Sequence, residues 1–459
     1  MSMQPVNPLE TFQWQPQPAA ERFVRGIVDE FLARVPAAAD MARRMKEQTG
    51  TRFFDWVDHI RLPDTPALRQ SLSGAGYAPV LLDPALAGRA FGHSAGMFPP
   101  IVLDSSVPQR LAIKVESAAD FAAANGLYPI GGEPLARYRE QWIDDDEQFL
   151  AVERHGYRGF DPLGATPGDK LSVLEHLEHF RTRPRRFPDD GDGFAFAESL
   201  IDAAIDKLGV DRACDLFFAG EREYWQRRNR AAQYQKARQD RLGLGWANHD
   251  HHTYRSSRRY FANLIGIFEK LGFVLRERFY AGKEAGWGAQ ILEQPTAGIV
   301  IFADVDLSPD ELFNDFAHEP LPPRNMLGTV GLWCGLHGES FLQAGMHHLE
   351  CQFDFDALKE QLETQGGVKV MKPFTDFPYL RQAFTEGERW PVKEERIAAL
   401  VDARLITAEQ AEQFRRNGAI GSHLENLERN AGFKGFNQTG VSEIIAATDP
   451  RKHLKLAGA

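Results

Sequence analysis

This chain predicts an α+β fold in which repeated βαβββ modules curl their sheets into half-barrels and carry helical insertions. Three observations support that expectation. Strand–helix–strand units recur along the sequence, three of them open on a histidine-bearing strand (Asp58-His59, Asp250-His251 and His347-His348), and long helical stretches separate or interrupt them.

The 459 residues exceed one ordinary core, so about two to four domains or fused modules are expected. Hydrophobic residues make up 43% and charged residues 25%, the balance of a folded globular protein. A formal charge of -11 disfavours non-specific binding to nucleic acid or anionic lipid and points to a small-molecule partner. Cys214, Cys334 and Cys351 have no zinc-type spacing and suggest neither a disulfide framework nor a thiolate site. The N-terminus has no basic region followed by an apolar stretch, and nowhere do eighteen apolar residues run uninterrupted. The expectation is a cytoplasmic protein with no membrane partner.

A Pro- and Gln-rich arm and a helix over about 21 to 48 fill residues 1–48. A first pair of modules is expected over 49–165. FFDWVDHIRLP opens it as a strand, TPALRQSLSGAGY follows as a helix, RLAIKVES and AADFAAANGL begin a second unit, and FLAVERHG closes that unit. Residues 166–245 turn helical and form a connector. Its segment 221 to 243 interleaves Arg227, Arg228 and Arg230 with Tyr224, Trp225 and Tyr234, which the acidic total argues is a solvated helix rather than a nucleic-acid track.

The second pair spans 246–459. WANHDHHTYR, the helix 256 to 272, and the strands FVLRERFY, GAQILEQ and GIVIFAD form one full βαβββ unit. The last unit opens with MHHLECQF and the helix DFDALKEQLETQG, passes a helical insertion over 372–435, and closes with the strand TGVSEIIAAT at 439 to 448. GAIGSHLENL, inside that insertion, reads as a turn that forms a lid.

Neutral imidazole and carboxylate are the usual donors for divalent iron, manganese, zinc or nickel, and two histidines with one carboxylate leave coordination positions open. His251 and His348 sit at repeated positions on opening strands, with His249 as a rival of the same strand parity. This arrangement resembles the vicinal oxygen chelate superfamily of glyoxalases, extradiol dioxygenases and hydroxyphenylpyruvate dioxygenase. There, opening strands give histidines and a closing strand gives a glutamate. The resemblance implies a metal triad of His251, His348 and Glu443, the last from GVSEII. His59 and Glu153 mirror that spacing in the first half, but the second opening strand there offers Lys114 and no histidine. A cation in that place implies a first half that has lost its metal.

The large single chain with a helical insertion is also similar to the 2-oxoadipate dioxygenase/decarboxylase (hydroxyglutarate synthase) family. That family's arginine beyond its first histidine would fall on Pro63, so its substrate does not transfer. The resemblance implies an Fe(II)-dependent dioxygenase using O2 and a small 2-oxo acid. Arg255, Arg381 and Gln438 are candidate contacts for the substrate carboxylates. Two alternatives use the same fold: a glyoxalase-type lyase or isomerase, for which Glu293 could add a second carboxylate, and a non-catalytic small-molecule-binding protein.

Overall fold

A computed structural model describes residues 13–81 and 88–437. Two helices, α1 (Pro18–Arg34) and α2 (Pro36–Thr49), replace the single expected one. Pro36 lacks the N–H that would continue α1 and instead occupies the first turn of α2. A 3-10 turn over Phe53–Trp56 then leads into the first sheet.

That sheet holds two modules. The first runs β1 (Val57–Leu62), α3 (Pro66–Gly74), β2 (Ala78–Pro79), β3 (Ala90–Gly92) and β4 (Ile101–Leu103). The second runs β5 (Arg110–Lys114), α4 (Ala118–Asn125), β6 (Tyr138–Trp142) and β7 (Phe149–Arg154). Its remaining strand is reduced to one bridge between Gly131 and Glu140. Helices α5 (Pro167–Thr182), α6 (Asp190–Leu208), α7 (Val210–Gln226) and α8 (Arg230–Asp240) follow as a layer between the sheets in the sequence. Thr65, Ser117, Thr166 and Asn229 each cap a helix N-terminus with a side-chain oxygen, which fixes where α3, α4, α5 and α8 begin.

The second sheet is built from β8 (His249–Arg255), α9 (Phe261–Lys270), β9 (Val274–Tyr280), β10 (Trp287–Gln294) and β11 (Ile299–Asp306), followed by α10 (Thr329–His337) and a further module. That module comprises β12 (His348–Gln352), α11 (Phe355–Thr364), β13 (Thr375–Phe377), β14 (Leu380–Phe384), β15 (Glu388–Trp390), α12 (Glu394–Asp402), α13 (Ala408–Asn417) and β16 (Ala419–Arg429).

One pairing rule generates both curled sheets. The closing strand of each module lies parallel to its opening strand: β4 to β1, β7 to β5, β11 to β8 and β16 to β12. The two opening strands of each sheet pair antiparallel, β1 with β5 and β8 with β12. The centre of the second sheet is therefore β11-β8-β12-β16, with the outer strands wrapping around it. Strands leave alternate side chains on opposite faces. On the outer face of β8, His252 and Tyr254 pack on Phe218 of α7, with ring centroids 5.2 and 6.2 Å away. Full burial of a phenylalanine such as Phe218 contributes roughly 1.5–3 kcal/mol. The inner face of the same strands is left to form a site.

The last module differs from expectation. GAIGSHLENL is not a turn: it supplies most of β16, the closing strand. The stretch expected as a helical insertion contains β13, β14 and β15 besides α12 and α13. The strand expected at 439 to 448 lies outside the described residues. Two glycines and a short run of alternating residues disguise β16 as a turn, and only its place between β12 and β14 makes it a strand.

Candidate metal centre

The parallel register of β12 and β16 sets His348 beside His423 and Glu350 beside Glu425. The antiparallel register of β8 and β12 sets His251 opposite Glu350 and Thr253 opposite His348. One row across three strands thus reads His251, Glu350, Glu425, and the next reads Thr253, His348, His423. Donor atoms of His251, Glu350 and Glu425 all lie within 4.8 Å of one another, and so do those of His347, His348 and His423. Among the described residues these are the two donor groups of this kind.

The individual contacts are close. His251 Nε2 is 3.2 Å from Glu350 Oε1, and His348 Nε2 is in contact with the same oxygen. His348 Nε2 also lies 3.7 Å from Glu425 Oε2. The His348 and His423 rings stack with centroids 4.6 Å apart. Thr253 Oγ1 donates to Glu350 Oε1 at 3.0 Å, and Gln382 Nε2 donates to Glu425 Oε1 at 2.9 Å.

Behind His251, its Nδ1–H donates to Asp250 Oδ1 at 2.9 Å, which turns Nε2 toward the cluster. Asp250 is held in turn by Arg429, whose Nε and Nη2 lie 2.8 and 2.9 Å from its two oxygens. Burial works against ionisation of Asp250, but the Arg429 guanidinium and the His251 bond hold its carboxyl well below the usual range.

Burial dominates the electrostatics of the cluster. It pushes His251 down to about 4 and His423 down to about 3, and it takes His348 well below its ordinary value with His423 adding to the effect. It pushes Glu425 up to about 7 and Glu350 well above the carboxylate range, where the neighbouring Glu425 carboxylate raises it further. Neutral imidazoles and carboxylates that resist ionising together are what a divalent cation relieves. Within the described residues, His348 Nδ1, Glu350 Oε2 and His423 Nε2 are buried without a hydrogen-bond partner. Such orphaned donors and acceptors are costly unless something engages them. The residues fit a metal ion.

The cluster forms part of the lining of a cavity of ≈ 60 Å³. Aromatic rings of Phe279, Trp287, Phe302, Phe374, Phe384 and Phe436 wall it, and Arg255, Asp304 and Asn437 add polar groups. Arg255 Nε lies 3.8 Å from Asp304 Oδ2, and its guanidinium lies 5.6 Å from the Trp333 ring centroid. Burial pushes Asp304 up to about 8 although Arg255 pulls it back.

The expected residues divide as follows. His251, His348 and Arg255 line one cavity. Glu443 and Gln438 lie outside the described residues, and the carboxylate of the observed closing strand is Glu425. Arg381 is not at the site. It alternates with Gln382 on β14, so it faces away, pairing with Asp356 at 3.0 Å and Asp376 at 3.1 Å. His249 is also turned away, because a bulge between the Glu350 and Cys351 positions breaks the strand parity and sets its ring 5.2 Å from His252 on the outer face. Glu293 bonds to Lys434 at 3.1 Å and does not line the cavity.

In the first sheet, His59 bonds to Asp58 at 2.7 Å, and Arg154 holds Asp58 as Arg429 holds Asp250. Glu153 is taken up by the Ala118 N–H, Arg139 and His155. Neither His59 nor Glu153 belongs to a donor group among the described residues.

Glu350, His423 and Glu425 were not anticipated from the sequence, yet a signal was present. The tripeptide His-Leu-Glu occurs three times, at 176–178, 348–350 and 423–425; the first copy is in helix α5, and the other two lie side by side on β12 and β16.

No family model and no curated relative matches the chain. Among solved structures, it is similar to methylmalonyl-CoA epimerase from Mycobacterium tuberculosis at 16% identity, covering 40% of this chain and 88% of that one with a TM-score of 0.24. A triple mutant of 4-hydroxymandelate synthase from Streptomyces coelicolor is 12% identical over 87% of this chain and 98% of its own, with a TM-score of 0.25. The uncharacterized protein YdcJ from Shigella flexneri is 11% identical over 57% of this chain and 72% of its own, with a TM-score of 0.24. Strand order, rather than these distant likenesses, defines the fold: paired βαβββ modules curled into half-barrel sheets.

Proposed function

We propose that this chain is a mononuclear metal enzyme, an Fe(II)-dependent dioxygenase acting on a small 2-oxo acid, with His251, His348 and Glu425 as the metal donors. One arrangement supports the reading. Imidazoles from two antiparallel opening strands and a carboxylate from the adjoining closing strand meet on one buried, aromatic-walled face. Two histidines and one carboxylate suit Fe(II) with open positions, and Mn, Zn or Ni could take the same donors. Bound there, the ion would supply Lewis acidity and oxygen chemistry.

The chain's own residues do the rest. Asp250 fixes the tautomer of His251, and Gln382 fixes the orientation of Glu425. Arg255 lies on the same face of β8 as His251 and is placed to receive a substrate carboxylate. Its neighbour Asp304, pushed up to about 8 by burial, keeps its proton near neutrality. The rings give the reacting groups an apolar wall, and a cavity of ≈ 60 Å³ suits a compact acid rather than a polymer.

A second reading, a glyoxalase-type lyase or isomerase, is favoured by Glu350. This second carboxylate beside the donors has a carboxyl that burial pushes well up, so it can hold a proton to deliver to, or recover from, a substrate carbon. Anaerobic loading with Fe(II), followed by an oxygen electrode and a panel of 2-oxo acids, separates the two. Oxygen uptake matched by CO2 release supports the dioxygenase. Conversion without oxygen transfers the case to the second reading. Binding of the acids by metal-free protein, with no turnover under any loading, overturns both.

A further inference from the structure

A second cavity, ≈ 690 Å³ in volume, lies where α7 and α8 meet the β15–α12 segment, and it shares no lining residue with the metal-cluster cavity. Its wall carries Arg186, Arg227, Arg228, Arg230, Lys393 and Arg396 against a single carboxylate, Glu388. Of these six cations, only Arg227 has a carboxylate at ion-pair distance among the described residues, its helix neighbour Glu223. Glu388 accepts from the backbone N–H of Arg230 at 3.2 Å.

The inner guanidiniums are held by neutral groups. Arg228 lies 4.0 Å from the Trp390 ring centroid and donates to the Gln343 carbonyl at 2.6 Å and to the Ala344 carbonyl. Arg396 donates to the Cys334 and Gly335 carbonyls, both at 3.3 Å. The side chains of Arg186, Arg227, Arg230 and Lys393 are exposed around them. In a chain of net charge -11, five cations without carboxylate partners on one concave surface are a local feature that composition does not explain. Fixed guanidiniums in a fork geometry suit the planar faces of phosphate oxygens, and the volume falls in the range of small-ligand sites.

We propose that this cavity binds a phosphorylated small molecule bearing two or more linked phosphates, of the size of a nucleoside diphosphate. A nucleic acid fits less well, because its charge would have to run beyond the cavity along a chain of net charge -11.

Calorimetry on the full chain at about physiological salt, with inorganic pyrophosphate and ADP as probes, tests the assignment. The wild-type protein and an Arg186→Glu/Lys393→Glu variant are compared. Both changed side chains are exposed, and a melting curve checks the fold; should the pair unfold, Arg230→Ala replaces it. Both probes are expected to bind, with affinity falling at least about tenfold in the variant and falling further as salt rises. A His251→Ala variant should bind pyrophosphate as wild type does. The proposal is overturned by absence of binding to both probes, by equal affinity in the charge-reversed variant, by loss of pyrophosphate binding in His251→Ala, or by binding of duplex DNA without either probe.

Discussion

Glu350 on β12 stands directly beside Glu425 on β16, because the two strands run parallel in a register that also aligns His348 with His423. Two buried carboxyls side by side are unfavourable unless they share a proton or a cation lies between them. Here they face two neutral imidazoles, so the same row of side chains that strains the apo-protein is a ready set of metal donors.

The first prediction concerns that donor set. His251→Ala, His348→Ala and Glu425→Ala should each abolish stoichiometric metal, whereas Glu443→Ala should retain it. Elemental analysis after anaerobic loading and desalting gives the answer. Full metal content in Glu425→Ala would move the carboxylate donor elsewhere.

Asp250 ties the site to the fold. Replacing it with asparagine leaves the Arg429 charge buried without its partner and loosens the His251 tautomer. Stability should fall by about 3–5 kcal/mol in denaturant titrations, and metal affinity should fall by roughly 10–100-fold. Unchanged metal affinity in a folded Asp250→Asn protein would remove the positioning role.

Arg255 and Arg381 make a matched pair of controls. With a 2-oxo acid as substrate, Arg255→Ala should raise KM by about 10–100-fold, the cost of roughly 1.4–2.8 kcal/mol of carboxylate binding. Arg381→Ala should leave kcat/KM unchanged, since its partners Asp356 and Asp376 lie on the other face of β14. Steady-state kinetics on both variants checks the contrast.

Glu339 offers a pH test away from the metal cluster. It is buried, accepts from Ser256 Oγ at 2.8 Å and from the Ser257 N–H at 3.2 Å, and burial pushes it up to about 7. The folded chain therefore keeps this proton over a range in which the unfolded chain, with a carboxyl near 4.5, has lost it. The associated stability is fully present below about pH 4.5 and is lost as pH rises through about 7, on the order of 3 kcal/mol in all. Melting curves across that window should flatten in Glu339→Gln; an identical slope in wild type and variant would contradict the assignment.

Much of this architecture was legible in residue order. The runs at 57 to 62, 249 to 255 and 348 to 352 are strands, and the helices after the first and the third begin where the capping residues Thr65 and Asp354 place them. His251, His348 and Arg255 were legible because strand alternation puts them on one face. Other features depend on tertiary context. The His-Leu-Glu of β16 follows two glycines and lies far from its partner in sequence, so nothing local marks it as a closing strand. The bulge in β8 defeats the parity that would have made His249 a donor. Arg381 fails for the opposite reason: its residue type suits a substrate carboxylate, but its neighbour Gln382 faces the cluster and alternation sends it outward.

Anomalous diffraction from crystals grown with Fe(II) would locate the ion. One peak is expected, about 2.1 Å from nitrogen of His251 and His348 and oxygen of Glu425. A fully loaded protein whose peak lies away from these three strands, or at His59 in the first sheet, would contradict this placement.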